Sequence, residues 1–144
     1  MHKFPVLRDG VNEPLLEDVR KKVDGYLAEL FDKDDLMKVD GLVSISFGSA
    51  TIQVTVNPWH SENVLVKVFS YLADNVDPDR VSSEFMRLNS DLPLGAFSLT
   101  FDNTVMLSCS LPGASLDKNE LLGALQTVTA YADQYDDILK EMYR

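Results

Sequence analysis

The sequence predicts an α+β protein in which one antiparallel sheet packs against helices. Apolar residues recur at helical spacing near both ends of the chain and once in the middle. Between these segments, five stretches alternate apolar and polar residues, as half-buried strands do. The length of 144 residues suits one domain. The predicted order is α-β-β-β-α-β-β-α, with residues 1–12 as an N-terminal arm and residues 13–144 as a single domain.

Each predicted helix has a capping residue at its start. Asn12 can accept hydrogen bonds from the first turn of a helix over residues 13–31. Asp77 can do the same for a shorter middle helix, and Ser115 or Asp117 for a last helix that reaches the C-terminus. The helices are therefore predicted with defined starting points.

The strand predictions depend on alternation and on turn residues. The five strands are expected over residues 43–47, 51–56, 63–72, 97–101 and 105–111. Asn57-Pro58 is expected to end the second strand, because proline cannot donate a hydrogen bond to a sheet. Asp102-Asn103 is expected to form a tight turn between the fourth and fifth strands. The acidic segment from Asp32 to Asp40 is interpreted as a solvated turn.

Charge and cysteine content restrict the partners and the location. The formal net charge is −10, so the surface repels phosphate backbones and anionic lipids. Neither nucleic acid nor a membrane is therefore an expected partner. Cys109 is the only cysteine and no apolar leader is present, which predicts a cytoplasmic protein.

No residue pattern predicts catalysis, a metal site or a cofactor. His2 and His60 lie far apart in sequence, and no zinc, EF-hand, phosphate-loop or nucleophile-elbow spacing occurs. Cys109 falls on the apolar side of a predicted strand and is expected to be buried and inert. The protein is therefore predicted not to be an enzyme.

The third predicted strand is apolar on both faces. Val64, Val66 and Val68 point one way, and Leu65, Lys67, Phe69 and Tyr71 point the other way. If helices cover the valines, then Leu65, Phe69 and Tyr71 lie on an exposed face, which predicts a site for a polypeptide partner. The alternative is that the N-terminal arm, with Phe4 and Val6, covers this row.

Trp59 is a further candidate for partner binding. It stands beside His60 after the second predicted strand, where a surface aromatic pair is the ordinary interpretation. The alternative is a small-molecule pocket near Trp59 and His60.

Local motifs add a resemblance to a known family. They are Gly48-Ser49-Ala50 before a strand, Leu88-Asn89 with Leu94-Gly95-Ala96-Phe97 between helix and strand, and Ala132-Asp133-Gln134-Tyr135-Asp136 in the last helix. With the element order, they make residues 13–144 similar to the YbjN-like, type III secretion chaperone-like family.

The resemblance implies a compact homodimer that binds extended segments of another protein through exposed apolar surface. It also implies that dimerisation involves the middle helix and neighbouring strands, here residues 79–101. The first functional hypothesis is therefore a homodimeric, chaperone-like peptide-binding module. The alternatives are a regulatory or scaffold subunit of a folded complex and the small-molecule binder.

Overall fold

The computed structural model describes residues 6–47 and 50–142 and has the predicted α+β class. In chain order the elements are α1 (Glu13–Leu30), β1 (Leu36–Val39), β2 (Leu42–Phe47), β3 (Ala50–His60), β4 (Asn63–Tyr71), α2 (Pro78–Asp91), β5 (Ala96–Leu99), β6 (Val105–Pro112) and α3 (Lys118–Met142). The strands form one antiparallel sheet in the order β1-β2-β3-β4-β6-β5. Within the described ranges, no helix is both long enough and apolar enough to cross a membrane.

Helix α1 packs on the face of the sheet that carries the valines of β4. Val64, Val66 and Val68 are fully buried there. Gly113 lies between the two layers, because a methyl group at this glycine would come within 2.8 Å of Val64 and 3.0 Å of Val19 in α1. The close approach of α1 to the sheet therefore depends on a residue without a side chain.

Helices α2 and α3 pack on the same face as α1. Phe97 in β5 pairs with Leu107, which in turn pairs with Ser70, and this register places Phe97 on the valine side. The Phe85 ring of α2 stacks on Phe97 at 5.5 Å between ring centroids, and Tyr135 of α3 meets it edge-on at 5.2 Å. All three helices thus share one layer, and the buried residues form one continuous core.

The predicted helix caps are confirmed. Asn12 Oδ1 accepts from Leu15 N at 3.1 Å, and Asp77 accepts from the first turn of α2. Of the two candidates for α3, Asp117 is the cap. Its carboxylate accepts from Glu120 N at 2.7 Å, while the Glu120 carboxylate accepts from Asp117 N at 3.1 Å. This reciprocal pair is a capping box.

Over the described residues the sheet has six strands, so the five-strand prediction is wrong in one element. Strand β1 lies inside the acidic segment that was expected to be a solvated turn. Asp40 and Gly41, both with positive φ (47° and 81°), connect β1 to β2 as a two-residue turn, with Val39 opposite Leu42. Asp-Gly favours this turn type, because both positions need positive φ.

Two predicted strand ends also need correction. Pro58 does not end β3, which continues to His60 with an irregularity between Pro58 and His60. The last β2 partner of β3 is Thr55, so Pro58 lies where β3 extends past β2 and a missing donor is tolerated. Phe101 lies outside β5, in the turn that follows it.

The turn between β5 and β6 is confirmed at the predicted residues. Thr100 N donates to Thr104 O at 2.9 Å, and Asn103 has a φ of 64°. The turn leaves Phe101 fully exposed.

Candidate functional site

The face of the sheet opposite the helices is here called the open face. On β4 it carries Leu65, Lys67, Phe69 and Tyr71 in one row, since alternate residues of a strand point to opposite sides. In the part of the chain that the structure describes, no helix or strand packs over this row. The prediction that these four residues share the face opposite the helices is confirmed.

One residue of the row, Phe69, is less exposed than expected. Phe69 is only 7% exposed, whereas Tyr71 is 52% exposed and Leu65 is half-buried. The Tyr71 ring meets Phe69 edge-on at 5.5 Å, and Lys67 Nζ lies 5.3 Å from the centroid of the Phe69 ring. The expected exposure of Phe69 is therefore wrong, because neighbours on the same face cover it.

Arg8 and Asn12, within the predicted N-terminal arm, contact the end of the β3–β4 hairpin. Ser61 N donates to Arg8 O at 2.9 Å, and Asn12 Nδ2 donates to Ser61 O at 3.1 Å. Val6 keeps 71% of its surface exposed, so it adds little cover to any part of the sheet. Phe4, the other residue proposed as cover, lies outside the described residues.

Trp59 is separated from Tyr71 along the hairpin. Pairing of Pro58 with Val64 and of His60 with Asn63 places Trp59 at the turn end of β3. Tyr71 ends β4 about 25 Å away, given about 3.4 Å per residue. The structure thus brings Leu65, Phe69 and Tyr71 into one row but does not bring Trp59 to the Tyr71 end.

His60 has a structural role in the hairpin. It is 9% exposed, its Nδ1 accepts from Glu62 N at 3.2 Å, and its ring meets Trp59 edge-on at 4.7 Å. These contacts hold the imidazole of His60 against the turn of the β3–β4 hairpin.

A second apolar surface, which the sequence did not predict, lies on the helix side of the sheet. We call it the helix groove. It has a volume of about 410 Å³ and is lined by Leu30, Phe31, Phe47, Leu122, Leu125, Gln126, Thr129 and Ala130. Phe31 and Phe47 meet edge-on at 6.1 Å, and Phe47 is 50% exposed. No signal in the sequence marks these residues, since the groove arises only where α1, α3 and the end of β2 meet.

Strand β1 is one edge of the sheet. Because Val39 and Leu42 flank a two-residue turn, they exchange hydrogen bonds, and so the peptide groups of Leu36 and Lys38 point outward. Met37 and Val39 are exposed and share the open face. This edge can therefore accept an additional strand.

The pKa shifts of Cys109 and Asp102 have simple physical causes. Burial raises the pKa of the Cys109 thiol, which is 2% exposed, so thiolate is disfavoured there. The hydrogen bond from Thr100 holds the pKa of Asp102 below its usual value. Among the described side chains, no group of three histidine, cysteine or acidic residues could hold a metal ion. The open face and the edge of β1 offer apolar contact and backbone pairing.

A comparison with protein families identifies the chain. The family described as T3SS (YopN, CesT) and YbjN peptide-binding chaperone 1, TY-Chap1, matches residues 17–144. The chain belongs to this family. The resemblance that the sequence motifs indicated is thereby confirmed. No curated protein sequence is significantly similar to this TY-Chap1 chain.

Solved structures share the fold of this TY-Chap1 member. The ExsC–ExsE complex matches with a TM-score of 0.57 and 17% identity, covering 84% of this chain and 96% of that one. The HopA1–SchA chaperone–effector complex gives 0.60 and 12%, covering 89% and 99%. The Yersinia pestis type III secretion chaperone SycH, in complex with a fragment of YscM2, gives 0.54 and 12%, covering 81% and 98%. These similarities confirm the predicted fold class.

Proposed function

We propose that this TY-Chap1 member is a non-enzymatic, homodimeric, chaperone-like module that binds an extended segment of another polypeptide on its open face. The observation that carries the proposal is the one-sided sheet. All three helices pack on the valine side, and the other side bears Leu65, Phe69 and Tyr71 in a row. The family description and the chaperone–effector complex among the similar structures support a polypeptide as the partner.

Binding would combine side-chain burial with backbone pairing. Apolar side chains of the partner would cover Leu65 and Tyr71, and Phe69 would serve as the packed base beneath them. Each large side chain that is buried contributes about 1.5–3 kcal/mol, before the cost of ordering the segment. A partner strand could also pair with the outward peptide groups of Leu36 and Lys38 at the edge of β1.

Charge supports the choice of partner. The net charge of −10 favours basic or neutral segments over nucleic acid and anionic membrane surfaces. The cytoplasmic location predicted from the sequence remains part of this proposal.

The experiment compares capture of partners by the wild type and two variants. The double variant Leu65→Glu, Tyr71→Glu places charge on the open face. The control Ile138→Glu alters an apolar side chain of similar exposure (45% against 52% for Tyr71) on helix α3. Tagged proteins are expressed in the native cell, and bound polypeptides are quantified by mass spectrometry.

We expect the double variant to lose its bound polypeptides and the control to retain them, with far-UV circular dichroism unchanged in both. Equal capture by all three proteins would contradict the proposal. A single folded partner at constant stoichiometry would instead support a scaffold subunit. Light scattering should give twice the 16.1 kDa mass of one chain, and a monomer at micromolar concentration would contradict the homodimer.

A further inference from the structure

Two exposed aromatic side chains lie together at the Tyr71 end of the open face. Phe101 is 102% exposed and Tyr71 is 52% exposed. Both line a cleft of about 290 Å³ together with Thr100, Asp102 and Thr104. We call this the aromatic cleft. A phenylalanine wholly in water contributes almost nothing to the stability of the fold, so its position invites a functional explanation.

Hydrogen bonds fix the backbone of the turn that carries Phe101. Hydrogen bonds between Thr100 and Thr104 close the turn, from Thr100 N to Thr104 O at 2.9 Å and from Thr104 N to Thr100 Oγ1 at 3.1 Å. Val76 N donates to Asn103 O at 3.1 Å, which anchors the turn to the segment that follows β4. The backbone of the turn that carries Phe101 is therefore anchored on both sides, and Phe101 and Tyr71 line the same cleft.

The surroundings of Tyr71 are acidic. Asp102 lies on one side, and the hydrogen bond from Thr100 lowers its pKa, so the carboxylate is ionised at neutral pH. On the other side, Tyr71 also lines a cleft of about 230 Å³ that includes Asp133, Asp136 and Asp137. Among the described residues that line these two clefts, none is a lysine or an arginine. A segment crossing Tyr71 would therefore pass the carboxylates of Asp102, Asp133 and Asp137, which attract positive charge.

We propose that the aromatic cleft binds a lysine or arginine side chain of the partner segment, with the cation against the rings of Tyr71 and Phe101 and near the Asp102 carboxylate. Cations are attracted to aromatic faces, and a carboxylate at the rim adds a charged hydrogen-bond acceptor. The cleft is assigned to the partner segment and not to a second copy, because the carboxylates that line the two clefts at Tyr71 attract a cation. This inference rests on the proposed function and specifies the chemistry of the partner.

The experiment selects random short peptides, displayed on phage, against the wild-type protein. We expect the selected peptides to combine apolar residues with lysine or arginine. The tightest peptide is then synthesised with its basic residue and with glutamine in that place, and both forms are measured by fluorescence anisotropy. The glutamine form should bind the wild type about tenfold more weakly.

Two variants test the residues of the cleft. Phe101→Leu keeps apolar volume but removes the ring, and Asp102→Asn removes the charge while its amide oxygen can still accept from Thr100. In either variant the two peptide forms should differ by less than about threefold. Asp34→Asn changes the net charge equally, on an exposed carboxylate beside β1 at the far edge of the sheet, and should leave the tenfold difference intact.

Each other result overturns the inference. Selected peptides without basic residues, or a tenfold difference that survives both cleft variants, would overturn it while leaving the proposed function in place. A difference lost equally in Asp34→Asn would show only an effect of net charge. If Phe101→Leu changes the molecular mass and not peptide binding, the cleft faces another copy. Failure to select any peptide, together with failure to capture any polypeptide, would overturn both proposals.

Discussion

Phe69 and Phe101 lie on either side of Tyr71 in sequence and share its surroundings, yet one is 7% exposed and the other 102%. We therefore expect replacement by alanine to affect them very differently. In Phe69→Ala, the loss of buried apolar surface costs about 2 kcal/mol. Loss of the edge-on contact with Tyr71 costs about 1 kcal/mol, and loss of the contact with the Lys67 cation costs about 0.5 kcal/mol. The free energy of unfolding should fall by about 3.5 kcal/mol in Phe69→Ala and by less than about 0.5 kcal/mol in Phe101→Ala.

Urea unfolding, followed by far-UV circular dichroism and by the fluorescence of Trp59, measures both changes. The midpoint of Phe69→Ala should decrease by roughly 1.5–2 M, and that of Phe101→Ala should stay within experimental error of the wild type. A loss below about 1 kcal/mol at Phe69 would refute the reasoning that neighbours on one face bury it. A large loss at Phe101 that depends on protein concentration would mean that another copy covers the ring.

Three further predictions concern stability and reactivity. Gly95→Ala should lower the free energy of unfolding by more than about 2 kcal/mol, because φ is 91° and a Cβ would lie 2.8 Å from the Ser108 carbonyl oxygen. Gly123→Ala is the control. It should not destabilise the protein, because a Cβ there would meet nothing within 4 Å. Cys109 should react with a thiol reagent at pH 8 only after denaturation, since burial raises its pKa; rapid labelling of the native protein would contradict the buried position. Asp117→Ala should cost about 1 kcal/mol in urea unfolding through loss of the α3 cap, and no change would argue against the capping box.

The helices and most strands were predictable because their signals are local. Asn12 and Asp77 precede apolar residues at helical spacing. A short polar side chain at that position accepts a hydrogen bond from the free backbone N–H groups of the first helical turn. The alternation on either side of Asp102-Asn103 likewise fixes a hairpin from nearby residues alone.

The wrong predictions concern segments whose structure depends on strands that are not next to them in sequence. The charges from Asp32 to Asp40 suggested solvent exposure, but Asp40-Gly41 is also a strong hairpin signal, and β1 is an edge strand that tolerates charge. Pro58 was expected to end a strand. However, β3 extends past the end of β2, so no backbone N–H donor is needed at this position.

The site was partly predictable for a similar reason. Alternation in β4 predicts that Leu65, Phe69 and Tyr71 face one side, and the register confirms it. Alternation gives no information on how far side chains on one face cover each other, so the burial of Phe69 was missed. The helix groove depends on the docking of α3 near Phe47, which no local pattern encodes.

Both outer strands of the sheet, β1 and β5, have four residues, whereas β3 has eleven and β4 has nine. In an edge strand of four residues, only two residues direct their N–H and C=O groups away from the sheet. A partner strand that pairs with β1 or β5 would therefore form about four hydrogen bonds. At about 1 kcal/mol each, less the entropy lost by the partner strand, such pairing would break quickly. The short edge strands thus favour rapid dissociation of a partner strand. They also give other copies of the chain only a short edge on which to add strands and form fibrils.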